Sequence, residues 1–189
     1  MLLILYSIFL ILFIIIAIFS FPQFSPIPYF PSNRKDLQLI IKALKLQNNQ
    51  TVIDLGAGDG VVIFAAAKTA YEKKLDTKFI AVDINPVLLF VMNIKKIFYP
   101  NRQNIKIIYG DMFNMKFKSP LQSKQKSKLI DNITIYLYIS PWYIEKVIKN
   151  LKLKIKNFHV VSYMYPIPGL QPKSVIKGKI HSIHNYEIS

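Results

Sequence analysis

The segment Val52 to Gly60, V-I-D-L-G-A-G-D-G, constrains the fold of this chain more than any other. An apolar run reaches Asp54, glycines follow at positions 56, 58 and 60, and Val-Val-Ile-Phe-Ala-Ala-Ala comes directly after them. This pattern predicts a strand, a tight glycine turn and the N-terminus of a buried helix. Glycine lets backbone approach a ligand closely, and a helix N-terminus presents unpaired N–H groups and a positive dipole end. A tight strand-to-helix turn in another α/β protein remains open. A dinucleotide site would normally read G-x-G-x-x-G instead.

The rest of the chain extends the pattern. Strands are expected at Val52–Leu55, Phe79–Ile84, Ile105–Tyr109, Ile133–Ile139 and His159–Tyr163, with short ones near 175–180 and 183–188. Helices are expected from Asn33 to Leu46, from Gly60 to about Tyr71, from Pro86 onward and from Pro141 to about Leu151. Strands alternating with helices predict a mostly parallel sheet with helices on both faces. Ligands of such sheets lie at the carboxyl ends of the strands. Asp54 to Gly60, Asp83, Asp111 and Ser140 to Tyr143 all fall there.

The motif D-x-G-x-G-x-G resembles motif I of the class I S-adenosylmethionine (SAM) methyltransferases. That resemblance implies a Rossmann-like fold and SAM as cofactor, with the glycine turn (Gly56, Ala57, Gly58, Gly60) beside the methionine tail. Asp83, followed by Ile84, suits the ribose, because an ionised acid accepts two hydrogen bonds from neighbouring hydroxyls. Asp111, followed by Met112, suits the adenine amino group. Each acid alone reads equally as a strand-end turn residue.

Residues after the fourth strand face the methyl acceptor in such a fold. Ser140-Pro141-Trp142-Tyr143 partly resembles the (Asp/Asn/Ser)-Pro-Pro-aromatic motif of amino methyltransferases, with Trp142 in place of the second proline. Ser140 and Trp142 are therefore the candidate acceptor-lining residues. A helix start with Pro141 in its first turn is the alternative.

The 189-residue chain divides into three parts: 1–21, 22–32 and 33–189. Met1 to Phe21 is almost wholly Leu, Ile and Phe, and about 20 such residues span a bilayer as a helix. A cleaved signal peptide is the other reading, but it lacks a basic start and a small-residue cleavage site. The stretch to Ser32 is a proline-rich spacer. Arg34 and Lys35 are the first cations, which places the domain of residues 33–189 in the cytoplasm by the positive-inside tendency.

With 25 Lys+Arg against 10 Asp+Glu, the net charge is +15. Such a surface suits anionic lipid or nucleic acid, and an Ile-, Lys- and Asn-rich composition explains part of it. There is no cysteine, which excludes disulfides and thiolate catalysis. His181 and His184 are expected on opposite strand faces, so no metal site is expected. The polar stretch Lys118–Lys128 reads as a surface loop.

The apolar N-terminus, D-L-G-A-G-D-G, Asp83 followed by Asn85-Pro86, G-D-M-F and Tyr165-Pro166-Ile167-Pro168-Gly169 together resemble a narrower group. These are the small membrane-anchored methyltransferases related to those acting on lysines of the ATP synthase c-subunit and of the adenine nucleotide translocase. The resemblance implies a lysine of a membrane-associated protein as acceptor. An RNA or small-molecule methyltransferase is the enzymatic alternative, and a non-catalytic SAM-binding module the other. The chain departs from the group at Val61, where an arginine is usual, and in the length of Lys118–Lys128.

Overall fold

The computed structural model describes residues 2–20, 30–113 and 132–189, with side chains over 2–15 in the first stretch. The Lys118–Lys128 loop and most of the spacer lie outside the described residues. Seven strands form one sheet: β1 (Thr51–Leu55), β2 (Lys78–Asp83), β3 (Ile105–Tyr109), β4 (Ile133–Leu137), β5 (Phe158–Tyr163), β6 (Ser174–Lys177) and β7 (Ser182–Ile188). Their order is β3-β2-β1-β4-β5-β7-β6. The first five are parallel, and β7 runs antiparallel to both β5 and β6. The order reverses direction between β1 and β4, which opens the crevice where α/β sheets take ligands.

Helices α1 (Leu2–Ser20), α2 (Leu37–Ala43), α3 (Val61–Glu72), α4 (Pro86–Ile97) and α5 (Pro141–Lys152) complete the chain. Crossovers between parallel strands are right-handed, so the helices leaving β1 and β2 cover one face and the helix after β4 covers the other. The core divides accordingly. Ile40, Phe64, Ala67, Phe79 and Met92 pack on one side. Leu55, Ile135, Ile144, Val147 and Val160 pack on the other. The run Ala65–Ala67 lets α3 lie close to the strands, with Ala66 and Ala67 fully buried.

Two expectations are revised. The helix expected over Asn33–Leu46 covers only Leu37–Ala43. The Asn33 side chain accepts the Lys35 amide in a local turn instead of starting the helix. Asp36 stands at the cap position but caps nothing. Its carboxylate, fully buried, accepts the backbone N–H groups of Lys179, Ile180 and His181 and the Tyr163 hydroxyl. Burial pushes this carboxyl up, but those hydrogen bonds outweigh it and hold it below its ordinary value. A distant demand on the side chain thus overrides the local capping signal.

The second revision concerns the membrane. Helix α1 forms, but among the described residues no helix is long and apolar enough to cross a membrane. The transmembrane segment expected over 1–21 is therefore not part of the fold as shown.

Candidate active site

The glycine turn is built by its neighbours. The Val82 carbonyl accepts both the Gly56 and Ala57 amides at 2.9 Å, which folds the chain across the end of β2. Gly60 caps α3 in the left-handed region at φ +77°, where an L side chain is strained. A Cβ there would also lie 2.8 Å from the Phe64 ring. Asp59, between the last two glycines, is clasped from α4. Lys95 Nζ donates to its carbonyl at 2.9 Å and to its carboxylate at 2.7 Å.

Asp83 closes the turn from the other side. Its Oδ2 accepts the Gly58 amide at 2.7 Å and its Oδ1 accepts the Asn85 amide at 2.8 Å. Asn85 in turn caps α4, its Oδ1 accepting the Val87 and Leu88 amides, with Pro86 in the first turn as expected. A carboxylate offers about four acceptor positions, so lone pairs remain on Asp83 for ligand hydroxyls.

Burial raises Asp83 above the ordinary carboxyl value despite the amides of Asn85, Gly58 and Ile84. Asp54 is raised much further, by burial first and then by the nearby Asp83 and Asp59 charges. Three acids crowded around one turn favour a cationic ligand.

Asp111 follows β3, and its Oδ1 accepts the Phe113 amide at 2.8 Å. The neighbouring Gly110 amide donates to the Asp83 carbonyl at 3.0 Å, which ties the two strand ends together. Met112 reaches the turn: a Cβ on Gly56 would stand 2.9 Å from its Cε. The missing side chain at Gly56 therefore lets Met112 pack directly against the turn. Phe113 packs on Tyr143 of α5 and accepts Asn150 Nδ2 through its carbonyl.

A small cleft lies directly over the turn, walled by Asp54, Gly56 to Asp59, Tyr136 of β4 and Tyr138 just after it, and Phe30 to Ser32. Ser32 Oγ and Tyr136 Oη share a hydrogen bond of 2.7 Å. Tyr138 packs edge-on against Tyr163, which itself bonds Asp36. A larger groove at the opposite end of the sheet, by His159 and Glu187, contains none of the motif residues.

The structure thus gathers Asp54, Gly56, Ala57 and Gly58 on one cleft, with Asp83, Ile84, Gly60 and Met112 supporting it and Asp111 at the next strand end. Ser140 and Trp142 are placed differently. Ser140 precedes α5 without a side-chain cap bond, and Trp142 is 85% exposed on the first helical turn. Neither lines the cleft. Tyr136 and Tyr138 do, although neither stands out in the sequence. Their alternate spacing at the end of β4 is the signal that could have found them, since it puts both on one face. Lys95 gives no such signal, because a lysine on a helix is ordinarily solvated.

The acids, the cleft and the amide-lined turn fit a sulfonium cofactor with a ribose and an amino-acid tail. Comparison with known proteins agrees. Residues 29–166 match the sequence profile of the ribosomal RNA adenine dimethylase family. A protein-lysine N-methyltransferase of Saccharolobus islandicus is 28% identical over 170 residues, covering 86% of this chain and 94% of that protein. An ATP synthase c-subunit lysine N-methyltransferase of Xenopus laevis is 18% identical, covering 86% of this chain but 64% of its own length. In fold, an RNA methyltransferase of Salinibacter ruber, solved with S-adenosyl-L-homocysteine, superposes with a TM-score of 0.67 at 17% identity, over 84% of this chain and 94% of that one. The chain is a SAM-dependent methyltransferase of the class I fold, and it belongs to the ribosomal RNA adenine dimethylase family.

Proposed function

We propose that this enzyme methylates a lysine side chain of a membrane-associated protein, held at the bilayer by residues 1–21 with residues 33–189 facing the cytoplasm. The observation that carries the reading is the cleft over the glycine turn, walled by Tyr136, Tyr138, Ser32 and Phe30. An aromatic, hydroxyl-bearing channel suits an alkylamine chain, since aromatic faces attract its cation and shed water around it. The near full-length similarity to a protein named as a lysine methyltransferase supports the same choice. The length and apolarity of residues 1–21 support the anchor.

In this reading Asp83 accepts the ribose hydroxyls, Asp111 the adenine amino group, and the Gly56–Gly60 turn admits the amino-acid tail. Bound SAM supplies an activated methyl group on a sulfonium. The chain's own task is alignment and exclusion of water, which converts an encounter into a near-attack geometry. The lysine must arrive neutral, although its unperturbed pKa is about 10.4. Desolvation between Tyr136, Tyr138 and Phe30 lowers that value, so no dedicated base is required. Ser140 and Trp142 stand at the outer end of β4, where Trp142 meets the surface around the target lysine.

A second reading has one observation in its favour: the matched family is described by an RNA activity, and a net charge of +15 suits phosphate. Transfer from methyl-labelled SAM into whole-cell extract separates the two. We expect label that is removed by protease, concentrates in the membrane fraction and resides on methyl-lysine. Label removed by nuclease would replace the protein reading with the RNA one.

A further inference from the structure

Helix α4 carries apolar side chains on both sides. Its inner face buries Leu88 and Met92. Its outer face leaves Phe90 65%, Ile94 42%, Ile97 60% and, just past its end, Phe98 80% exposed. These positions recur at helical spacing, so they form one stripe. Tyr109, 70% exposed, shares its side of the sheet, because it alternates in phase with Ile107, which packs against the Met92 core. A contiguous apolar patch rimmed by polar residues marks an interaction surface.

Three observations identify what covers it. Residues 84–110 include Lys95, Lys96, Arg102 and Lys106 and contain no Asp or Glu. Arg102 is exposed and Lys96 half-buried, so the patch has a basic rim. Helix α1, whose described side chains are exposed and nearly all apolar, comes into contact with α4. Finally, ten residues separate Ser20 from Phe30, a reach of at most about 36 Å even if fully extended. A chain anchored by α1 therefore keeps this domain beside the bilayer whatever its orientation.

We infer that the outer face of α4 lies in the interface of an anionic lipid bilayer, with Phe90, Ile94, Ile97 and Phe98 inserted among the acyl chains and Lys96 and Arg102 at the headgroups. The inference rests on the proposed anchor for its continuity. Interfacial amphipathic helices of this kind sit about 5–10 Å into the headgroup boundary. The same helix holds Lys95 against Asp59, so the element that meets lipid is also one that holds the cofactor turn.

The chain has no cysteine, so single labelling sites are clean. The full chain is reconstituted into phosphatidylcholine–phosphatidylserine vesicles with a fluorophore at Ile8→Cys, Phe98→Cys or Lys152→Cys, the last on the opposite helix layer. Brominated lipid serves as the membrane quencher and iodide as the aqueous one. We expect bromolipid quenching at positions 8 and 98 and none at 152. Quenching at 8 alone would overturn the α4 docking and leave the anchor intact. Quenching at 98 without 8 would overturn the anchor and retain the docking. Shielding of 98 from iodide without bromolipid quenching would mean that protein covers the stripe, through α1 or a second copy, and would overturn the docking. A Phe98→Lys, Ile94→Lys chain labelled at Ile97→Cys should lose the bromolipid signal while keeping SAM binding.

Discussion

The Asp83 carboxylate accepts the Gly58 and Asn85 amides before any ligand arrives, so its removal acts on the turn as well as on the proposed ribose contact. In Asp83→Ala, SAM affinity measured by calorimetry should fall by more than about tenfold, on the order of 1.5–3 kcal/mol for charge-assisted hydrogen bonds. An unchanged affinity in the folded variant would remove Asp83 from the cofactor site. The acids also set a pH dependence. Burial raises both Asp54 and Asp83, and Asp54 the more, so they take up protons above the ordinary carboxyl value of about 3.9. A cationic cofactor favours their ionised forms. SAM affinity should therefore fall as pH drops from neutrality through those raised values, with proton release on binding in the same window. Asp36 has the opposite sign. Its folded value is depressed, so its stabilisation is complete above its unfolded value and is lost as pH falls through the folded one. Asp36→Ala strips the partner from three backbone amides and should cost about 3 kcal/mol in urea unfolding at neutral pH. That cost should be smaller in acid, where the charge on Asp36 is lost. None of this tuning was legible from single residues, because the partners of Asp36 lie on a hairpin far along the chain.

At the level of elements, periodicity carried most of the information. Strand β3 falls where alternation and its flanking turns put it, and the other strands and the larger helices agree to within a residue or two at most ends. Helix α2 was overestimated because Leu37, Ile40, Ile41 and Leu44 keep helical spacing past the point where the backbone turns away. The antiparallel pairing of β7 against β5 could not be read locally, since a strand's own sequence does not name its neighbour. The turn before α3 was legible because glycine is nearly obligatory there. Gly60→Ala should test that demand. A left-handed cap costs an L residue about 1–2 kcal/mol, and the Phe64 ring adds a clash, so the melting temperature and SAM binding should fall together. Lys95→Met probes the clasp from α4 instead. The fold should survive, since the lysine is partly exposed, while the Asp59 segment loosens and SAM binding weakens severalfold. Equal SAM affinity in Lys95→Met would show that the turn holds its shape without α4.

Across the whole molecule, the fold follows from one strand–turn–helix signal and the alternation behind it, whereas the acceptor side does not. The cleft wall joins Phe30 to Ser32, before the first strand, to Tyr136 and Tyr138 at the end of the fourth, and only the closed sheet brings them together. The proposed membrane attachment rests on the composition of residues 1–21, and its test belongs to the intact chain in lipid. The buried Asp36 carboxylate has a consequence in time as well as in space. Its amide partners Lys179 to His181 lie 143 to 145 residues downstream. At roughly 5–20 residues per second, a ribosome takes about 7 to 30 seconds to cover that distance. Late in that interval the glycine turn and its first strands have been made, but the hairpin that satisfies Asp36 does not yet exist. The nascent chain must wait in a partly made state, with its cofactor turn formed ahead of the closing hairpin, and a holding chaperone or the cofactor itself would find it there.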